Sequence, residues 1–151
     1  MKDKVLVDNR DNLNDVNKVN VLFICKNNSI RSQMAEAILN SLYNETYIAF
    51  SGGINPTNIN ENTVHVLKEI RIDISNKSSK NLEIFENMKF NHVITVCDDD
   101  KCPYFLNTEN YINKSFKDPK SSSKSDNLDS FREVRDEIKN WIIEIVENGT
   151  I

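Results

Sequence analysis

The chain has 151 residues, of which 38% are hydrophobic and 28% charged, a composition typical of one globular domain with a buried core. Its net charge of −4 argues against general binding to nucleic acid or to an acidic membrane surface. No apolar run is long enough for a membrane span or for the core of a signal peptide, so we expect a cytoplasmic monomer with no nucleic-acid and no membrane partner.

The first elements predicted along the chain are an extension, a strand and a helix. Residues 1–19 are polar and rich in asparagine, and we predict that they extend from a single domain of residues 20–151. The apolar run 20–24 predicts a strand that is buried on both faces. Residues 30–43 predict a helix whose core-facing stripe consists of Met34, Ile38 and Leu42.

Strands and helices continue to alternate in the rest of the chain. The further strands are predicted at 47–50, at 92–96 and, on the edge of the sheet, at 111–116. The further helices are predicted at 61–70, at 82–87 as a brief helix, and at 126–147, where Ser125 or Asp126 serves as the cap.

This alternation predicts the fold class α/β, as a single-domain, three-layer α/β/α arrangement with a four-stranded parallel sheet of the flavodoxin-like or Rossmann-like kind. In such sheets ligands bind beyond the carboxyl ends of the strands, where the strand order reverses. Cys25 and Cys97 each close a predicted strand, and Asp118 follows a third. We therefore expect these three side chains to meet at one edge of the sheet.

The three cysteines of the chain are predicted to be free thiols. An odd number in a cytoplasmic protein argues against a structural disulfide framework, and their distance in sequence from the two histidines does not suggest a zinc site. We expect no bound metal. The thiols are then either buried packing residues or participants in chemistry.

The segment from Cys25 to Ser32 carries the clearest chemical signal. A turn directly before a helix leaves backbone N–H groups unpaired, and these groups together with the helix dipole bind oxyanions. Such surroundings favour a thiolate, to which Ser32 can donate a further hydrogen bond. The guanidinium of Arg31 matches two oxygens of phosphate or arsenate. We interpret the segment as a site for attack on a tetrahedral oxyanion, against the alternative of a buried strand-end cysteine and a solvated arginine.

The run Cys25-Lys26-Asn27-Asn28-Ser29-Ile30-Arg31-Ser32 resembles the phosphate-binding loop of the low-molecular-weight protein tyrosine phosphatase superfamily. The resemblance continues through Ser51-Gly52-Gly53-Ile54, Thr95-Val96-Cys97, Cys102-Pro103 and Lys117-Asp118-Pro119. Its cysteines make the chain most similar to the branch of thioredoxin-linked arsenate reductases. The resemblance implies a phosphatase-like fold of this superfamily and the reduction of arsenate to arsenite.

The resemblance also implies a role for each candidate residue. Cys25 is the nucleophile, Arg31 clamps the oxyanion, and Asp118 is the general acid that protonates the leaving oxygen. Cys97 and Cys102 are resolving cysteines, which pass a disulfide from Cys25 to an external thiol reductant of the thioredoxin type. No bound cofactor is expected. The arsenate or phosphate-like oxyanion is held by the loop residues Lys26, Asn27, Asn28, Ser29, Ile30, Arg31 and Ser32.

The loop departs from the family pattern at two positions. Asn27 stands where the family has glycine, and because asparagine tolerates the left-handed backbone conformation better than most residues, we expect that the loop can still form. Lys26 adds a positive charge that favours the thiolate or the anion. The gap between Cys97 and Cys102 is also shorter than in the reductases.

Some reductases of this branch bind potassium beneath the loop. Asn28, Glu36 and Ser51 match that site, but Lys80 stands where the family has an aspartate. Because an ammonium group could replace the metal ion, we predict no potassium requirement.

Arsenate reduction has two alternatives. One is the function of a phosphatase that acts on phosphotyrosine or small phosphoesters through a cysteinyl-phosphate intermediate. The other is that of a non-catalytic oxyanion or redox sensor. Family phosphatases carry aromatic residues just after the Asp-Pro pair to hold the phosphotyrosine ring. Here Lys120 and a run of serines follow instead, which favours arsenate as the substrate.

Overall fold

The computed structural model describes residues 17–97, 108–121 and 128–151. Its four strands are β1 (Val19–Cys25), β2 (Tyr47–Gly53), β3 (Phe90–Thr95) and β4 (Thr108–Asn113). They form one sheet in the order β2-β1-β3-β4, and every neighbouring pair is parallel. The predicted α/β class with a four-stranded parallel sheet is therefore confirmed.

Three α-helices share the core on one face of the sheet. They are α1 (Arg31–Leu42), α2 (Glu61–Glu69) and α3 (Leu128–Glu147). The other face is covered by a layer that includes the 3-10 helix Leu82–Phe85. In this second layer the rings of Phe85 and Phe90 meet the ring of Phe50 edge to face, at 5.8 and 5.7 Å between centroids. A second 3-10 helix spans Pro119–Ser121.

The fourth strand lies earlier than the predicted range 111–116. It spans Thr108–Asn113, because its polar first half pairs with β3 from Phe90 onwards through main-chain hydrogen bonds that do not depend on apolar side chains. Phe116 lies beyond the strand, where its buried ring meets that of Trp141 at 5.7 Å.

Two other sequence expectations need correction. Leu42, predicted in the core-facing stripe of the first helix, is 43% exposed, and Leu39 is buried instead. The second strand runs past residue 50 to Gly53, because β2 follows β1 in register as far as the pair Cys25 and Gly53. The predicted extension up to residue 16, Cys102, and the predicted cap at Ser125 or Asp126 lie outside the described residues.

The strand order locates the crevice where ligands of such sheets bind. The chain leaves β1 towards β2 on one side and later returns to β3 on the other, so the carboxyl end of β1 is the switch point. Cys25 is the last residue of that strand. In the ranges that the structure describes, no helix has both the length and the apolar character needed to cross a membrane.

Candidate active site

The loop between Cys25 and Arg31 connects β1 directly to α1. Cys25 is a free thiol and only 3% exposed. Ile30 occupies the N-cap position of α1 with φ −131° and ψ −78°, and it makes no side-chain cap. The first N–H groups of the helix therefore remain available to an anion, as the sequence predicts.

Asn28 holds the middle of this loop in shape. It has a φ of 50°, in the left-handed region that asparagine tolerates better than most residues. Its side-chain oxygen accepts hydrogen bonds from the backbone N–H of Lys80 at 2.8 Å and from Nε2 of Gln33 at 2.9 Å. Its main-chain carbonyl accepts one from the hydroxyl of Ser79 at 2.8 Å.

Asn27 does not use the left-handed conformation that asparagine tolerates. Among the described non-glycine residues, only Asn28 and Arg71 have a positive φ. The side chain of Asn27 instead donates from Nδ2 to the carbonyl of Asn55 at 2.8 Å. Asn28 is the left-handed residue because its side-chain amide faces inward, where it accepts hydrogen bonds from Lys80 and Gln33.

A chain of hydrogen bonds connects Asn28 to the sulfur of Cys25. Because the amide oxygen of Asn28 accepts from two donors, its Nδ2 points the other way and donates to the hydroxyl of Ser32 at 2.7 Å. The Oγ of Ser32 lies 2.9 Å from the Sγ of Cys25. With its oxygen occupied as an acceptor, the Ser32 hydroxyl can turn its hydrogen towards a thiolate.

The segment that follows β2 supports the loop from behind. Backbone N–H groups of Asn55, Thr57 and Asn60 donate to the carbonyls of Lys26, Asn27 and Ser29 at 2.9, 3.1 and 3.2 Å. These bonds direct the three loop carbonyls towards the segment that follows β2 and satisfy them as acceptors.

Gly53 makes the close approach of these two segments possible. A Cβ atom at this position would lie 2.7 Å from the carbonyl oxygen of Lys26 and 2.9 Å from the backbone nitrogen of Asn28. Real Cβ atoms do not come that near to backbone atoms, so only glycine allows the end of β2 to pack against the loop in its present position.

Arg31 links the loop to Asp118. Its guanidinium donates from Nη1 to the carbonyl of Phe116 at 2.9 Å, and its Nη2 lies 3.8 Å from the Oδ2 of Asp118. The other oxygen of Asp118 accepts from the backbone N–H of Lys120 at 3.0 Å. Arg31 is 8% exposed, while the Asp118 side chain is 33% exposed and reaches the mouth of the site.

A small cavity opens above the thiol. Most of its lining is polar, and no aromatic residue is among the described residues that line it. The lining residues are Cys25, Asn27, Ser29, Ile30, Arg31, Asp118 and Lys120. Of the other residues between Cys25 and Ser32, Asn28 and Ser32 itself are fully buried, and Lys26 is exposed on the outer side of the loop.

Cys97 lies two residues beyond the end of β3, the strand next to β1 in the sheet. It is 3% exposed and belongs to the same core cluster as Cys25. Cys97 is disulfide-bonded, whereas Cys25 is a free thiol, so the two are not joined to each other in this state. The prediction that all three cysteines are free thiols is therefore wrong for Cys97. Cys102 lies outside the described residues.

The structure thus brings together Cys25, Arg31 and Asp118 at the carboxyl edge of the sheet. It also shows residues that sequence reasoning missed, namely Gln33, Ser79 and Phe116. Gln33 could have been found as a polar residue in the first turn of a helix that follows an anion loop. Ser79 and Phe116 gave no signal, because they reach the loop from 51 and 85 residues away. No cluster of three or more potential metal ligands of the His, Cys, Asp and Glu type occurs among the residues described.

Comparison with known proteins agrees with this geometry. The family model of low molecular weight phosphotyrosine protein phosphatase matches residues 20–148. The arsenate reductase of Bacillus subtilis (strain 168) is 35% identical over 139 residues, which are 88% of this chain and 98% of that protein.

Two solved structures extend the comparison. An arsenate reductase in the phosphate binding state superposes with a TM-score of 0.74 at 27% identity, covering 86% of this chain and 98% of that one. The thioredoxin-dependent arsenate reductase of Corynebacterium glutamicum gives a TM-score of 0.63 at 25% identity, covering 87% of this chain and 63% of that one.

Proposed function

The chain belongs to the low molecular weight phosphotyrosine protein phosphatase family, and we propose that within this family it reduces arsenate to arsenite, with Cys25 as nucleophile in a three-cysteine relay. The observation that carries the proposal is the free, buried thiol of Cys25, which is hydrogen-bonded to Ser32 beneath an anion loop. Relatives that are 34% and 35% identical and are matched over 98% of their length are arsenate reductases, which favours arsenate reduction over phosphatase activity.

Binding of the oxyanion is the first step. Residues of the loop and of the N-terminus of α1 line the cavity above Cys25, where the unpaired N–H groups of a helix start can bind an anion, and Arg31 is among the lining residues. The guanidinium is held in place by the carbonyl of Phe116 before any ligand arrives. A tetrahedral dianion can therefore bind with one oxygen pointing outward, towards Asp118 and Lys120.

Attack by the thiolate of Cys25 on arsenic forms a sulfur–arsenic bond. The hydroxyl group that leaves arsenic takes a proton from Asp118 and departs as water, which is general acid catalysis by a carboxyl group at the mouth of the site. Arg31 contacts both the loop and Asp118, so it can hold the equatorial oxygens while the acid approaches the leaving one.

The relay then transfers two electrons to arsenic. The thiolate of Cys97 attacks the sulfur of Cys25, the electron pair of the sulfur–arsenic bond passes to arsenic, and arsenite leaves behind a disulfide between these two cysteines. Cys102 next attacks Cys97 and releases Cys25 as a thiolate. The state in which Cys25 is free and Cys97 is oxidised corresponds to the end of this sequence and supports the proposed order.

An external dithiol must reduce the final disulfide. One similar protein is named as thioredoxin-dependent, and we propose a reductant of the same thioredoxin type for this chain. Such a relay works only where thiols are kept reduced, so the proposal includes a cytoplasmic location.

The cavity lining further favours a small inorganic oxyanion over an aryl phosphate. Lys120, rather than an aromatic ring, lines the outer part of the cavity. An ammonium group there attracts the charged outer oxygen of arsenate and offers no flat surface to a phenyl ring.

The decisive experiment is arsenate turnover by the reduced protein with thioredoxin, its reductase and NADPH, compared with hydrolysis of para-nitrophenyl phosphate. We expect NADPH consumption that depends on arsenate and on thioredoxin.

Two variants test the relay. The variant Cys102→Ser should complete one turnover and then stall, and Cys97→Ser should bind arsenate without releasing arsenite. Multiple turnovers at the wild-type rate in Cys102→Ser would overturn the relay.

A further inference from the structure

A buried carboxylate lies directly beneath the anion loop. Glu36, in the second turn of α1, is 7% exposed. Its Oε1 accepts a hydrogen bond from the hydroxyl of Ser51 at 2.5 Å. Burying a carboxylate costs free energy unless a positive charge or further hydrogen-bond donors compensate it.

Lys80 supplies that positive charge. Its Nζ lies 3.5 Å from the same Oε1 of Glu36, and it donates to the carbonyl of Ser78 at 3.1 Å. The Lys80 side chain is 24% exposed, so this pair is partly shielded from water and is less screened by salt than a surface pair.

The oxygens around the ammonium group resemble the donor set of an alkali cation. A carboxylate oxygen of Glu36 and the main-chain carbonyl of Ser78 lie near Nζ, and the Ser51 hydroxyl donates to the same carboxylate oxygen. The aspartate that would complete the family's potassium site is absent, because Lys80 stands at its position. A second cation next to the ammonium group would be repelled by it. The residues present therefore do not fit a potassium ion.

We infer that the ammonium group of Lys80 takes the place of the potassium ion, and that Lys80 is a positioning residue for the anion loop. The same residue donates its backbone N–H to the Oδ1 of Asn28 at 2.8 Å. Asn28 in turn donates to Ser32, which contacts Cys25. One residue thus neutralises Glu36 and sets the orientation of the loop. The inference rests on the proposed anion loop but not on arsenate as its substrate.

The first test compares thermal unfolding of the wild-type protein in potassium chloride and in choline chloride at equal ionic strength. We expect the same midpoint in both salts. The variant Lys80→Met should have a midpoint lower by roughly 5–10 °C in choline chloride, because Glu36 loses its counter-charge. Potassium should raise the midpoint of this variant by about 3 °C when it is present well above its dissociation constant.

Lys77→Met is the matched control. Lys77 is exposed in the same segment, and its removal changes the net charge by the same amount. This variant should behave as wild type in both salts. A wild-type midpoint that rises specifically with potassium would overturn the inference, and so would a Lys80→Met variant with the same midpoint as wild type in both salts.

The second test uses inorganic phosphate as the probe, so that it does not depend on arsenate reduction. Phosphate should protect Cys25 from alkylation by iodoacetamide, and the concentration needed should rise about tenfold in Lys80→Met and return towards the wild-type value in potassium. Lys80→Arg, which keeps the positive charge beside Glu36, should stay within threefold of wild type without potassium. Equal protection of wild type and Lys80→Met at all phosphate concentrations would contradict a positioning role.

Discussion

A chain of hydrogen bonds runs from Asn28 to the sulfur of Cys25, and the hydroxyl of Ser32 is the group in it that lies next to the sulfur. It lies 2.9 Å from the sulfur of Cys25 and accepts from the amide of Asn28 at 2.7 Å. Since that amide has its own orientation fixed by Gln33 and Lys80, the direction of the hydroxyl is set by residues that never touch the ligand. The reactivity of the thiol therefore depends on a layer of buried polar residues behind the loop.

The variant Ser32→Ala should react more slowly at its thiol. Loss of a hydrogen bond to a charged acceptor costs about 1.5–3 kcal/mol, so we expect alkylation of Cys25 by iodoacetamide at neutral pH to slow by roughly tenfold or more. Ser41→Ala, at an exposed position of the same helix, is the control and should alkylate at the wild-type rate. An unchanged rate in Ser32→Ala would show that the hydroxyl does not donate to the sulfur.

At the scale of single residues, the sequence indicated the pieces that are local. Cys25, Arg31 and Ser32 lie within one strand–helix connection, and their spacing alone brings them together. The sequence draws attention to Asn27 as the asparagine in place of the family's glycine, but the left-handed residue is Asn28, because its conformation depends on Lys80 and Gln33, whose contacts with the loop are set by the tertiary fold. The local spacing of residues in the loop cannot indicate a hydrogen-bond partner that lies 52 residues further along the chain.

At the scale of elements, the end of β2 fixes the position of the loop. Gly52 and Gly53 are neighbours in sequence but face different surroundings. A Cβ on Gly53 would lie within 3.0 Å of backbone atoms of the loop, whereas one on Gly52 would lie 3.2 Å from Leu82 and from the ring of Phe85. The two positions allow the effect on the site to be separated from the effect on packing.

Gly53→Ala should impair the site far more than Gly52→Ala. Both variants introduce overpacking, which typically costs about 1–3 kcal/mol of unfolding free energy. Only Gly53→Ala displaces the backbone beside Cys25, and we expect its arsenate turnover to fall by roughly 100-fold because reacting atoms are misplaced. Steady-state kinetics and urea unfolding of the two variants provide the comparison, and similar losses of activity in both would argue against a special role for Gly53.

Asn40 protects the outer edge of β2. Its side chain donates from Nδ2 to the carbonyl of Ala49 at 3.0 Å and accepts from the N–H of Ala49 at 2.8 Å. An edge strand without such a partner exposes main-chain groups to pairing with another chain. A residue of α1 thereby occupies the place that a further strand could take.

Asn40→Ala should lower stability and favour association. The loss of two hydrogen bonds should cost about 1–3 kcal/mol and lower the unfolding midpoint by several degrees. Asn44→Ala, at an exposed position just after the same helix, should change the midpoint by less than about 2 °C. Calorimetry and light scattering on heating would measure both effects, and an Asn40→Ala protein as stable as Asn44→Ala would exclude this function of the side chain.

The elements were predictable to different degrees for a physical reason. The six buried residues of α3 recur with helical periodicity, which is the signal that predicts this helix from the sequence. Strand β4 was placed too late, because Thr108, Glu109 and Asn110 give no apolar signal and are held by pairing with β3. Periodicity reveals elements that bury side chains, and it misses those that are held mainly through the main chain.

At the scale of the whole molecule, a charged cluster joins α2 to α3. Glu69 accepts hydrogen bonds from Arg132, with Nη2 to Oε2 at 2.7 Å, and from Arg135, with Nη1 to Oε1 at 2.8 Å. Arg135 is 8% exposed and also donates to the carbonyl of Val66 at 2.9 Å. The cluster therefore attaches α3 to α2, which is the helix that follows the segment supporting the anion loop.

Protonation of Glu69 should weaken this attachment in acid. The hydrogen bonds from Arg132, followed by those from Arg135, lower the pKa of Glu69 from its ordinary 4.5 to about 2. The folded state therefore binds this proton less readily than the unfolded state, and the contribution to stability is complete above about pH 4.5 and lost as the pH falls towards 2.

Glu69→Gln should accordingly be less stable than wild type at neutral pH, and the difference should narrow below about pH 4.5. Urea unfolding between neutral pH and pH 3 would measure it. Glu144→Gln, at an exposed position on α3, serves as control and should stay within about 0.5 kcal/mol of wild type at neutral pH. A difference between Glu69→Gln and wild type that stays constant down to pH 3 would contradict the assignment.

The support of the loop by Asn55, Thr57 and Asn60 has a consequence for how this site tolerates change. These residues donate to main-chain carbonyls, which every amino acid carries, so this support does not depend on the exposed side chain at position 26. A substitution there can alter charge and outer contour while the main-chain hydrogen bonds persist. The loop can thus accept a new residue on its outward side, as with Lys26, without rebuilding the surface that lines the cavity.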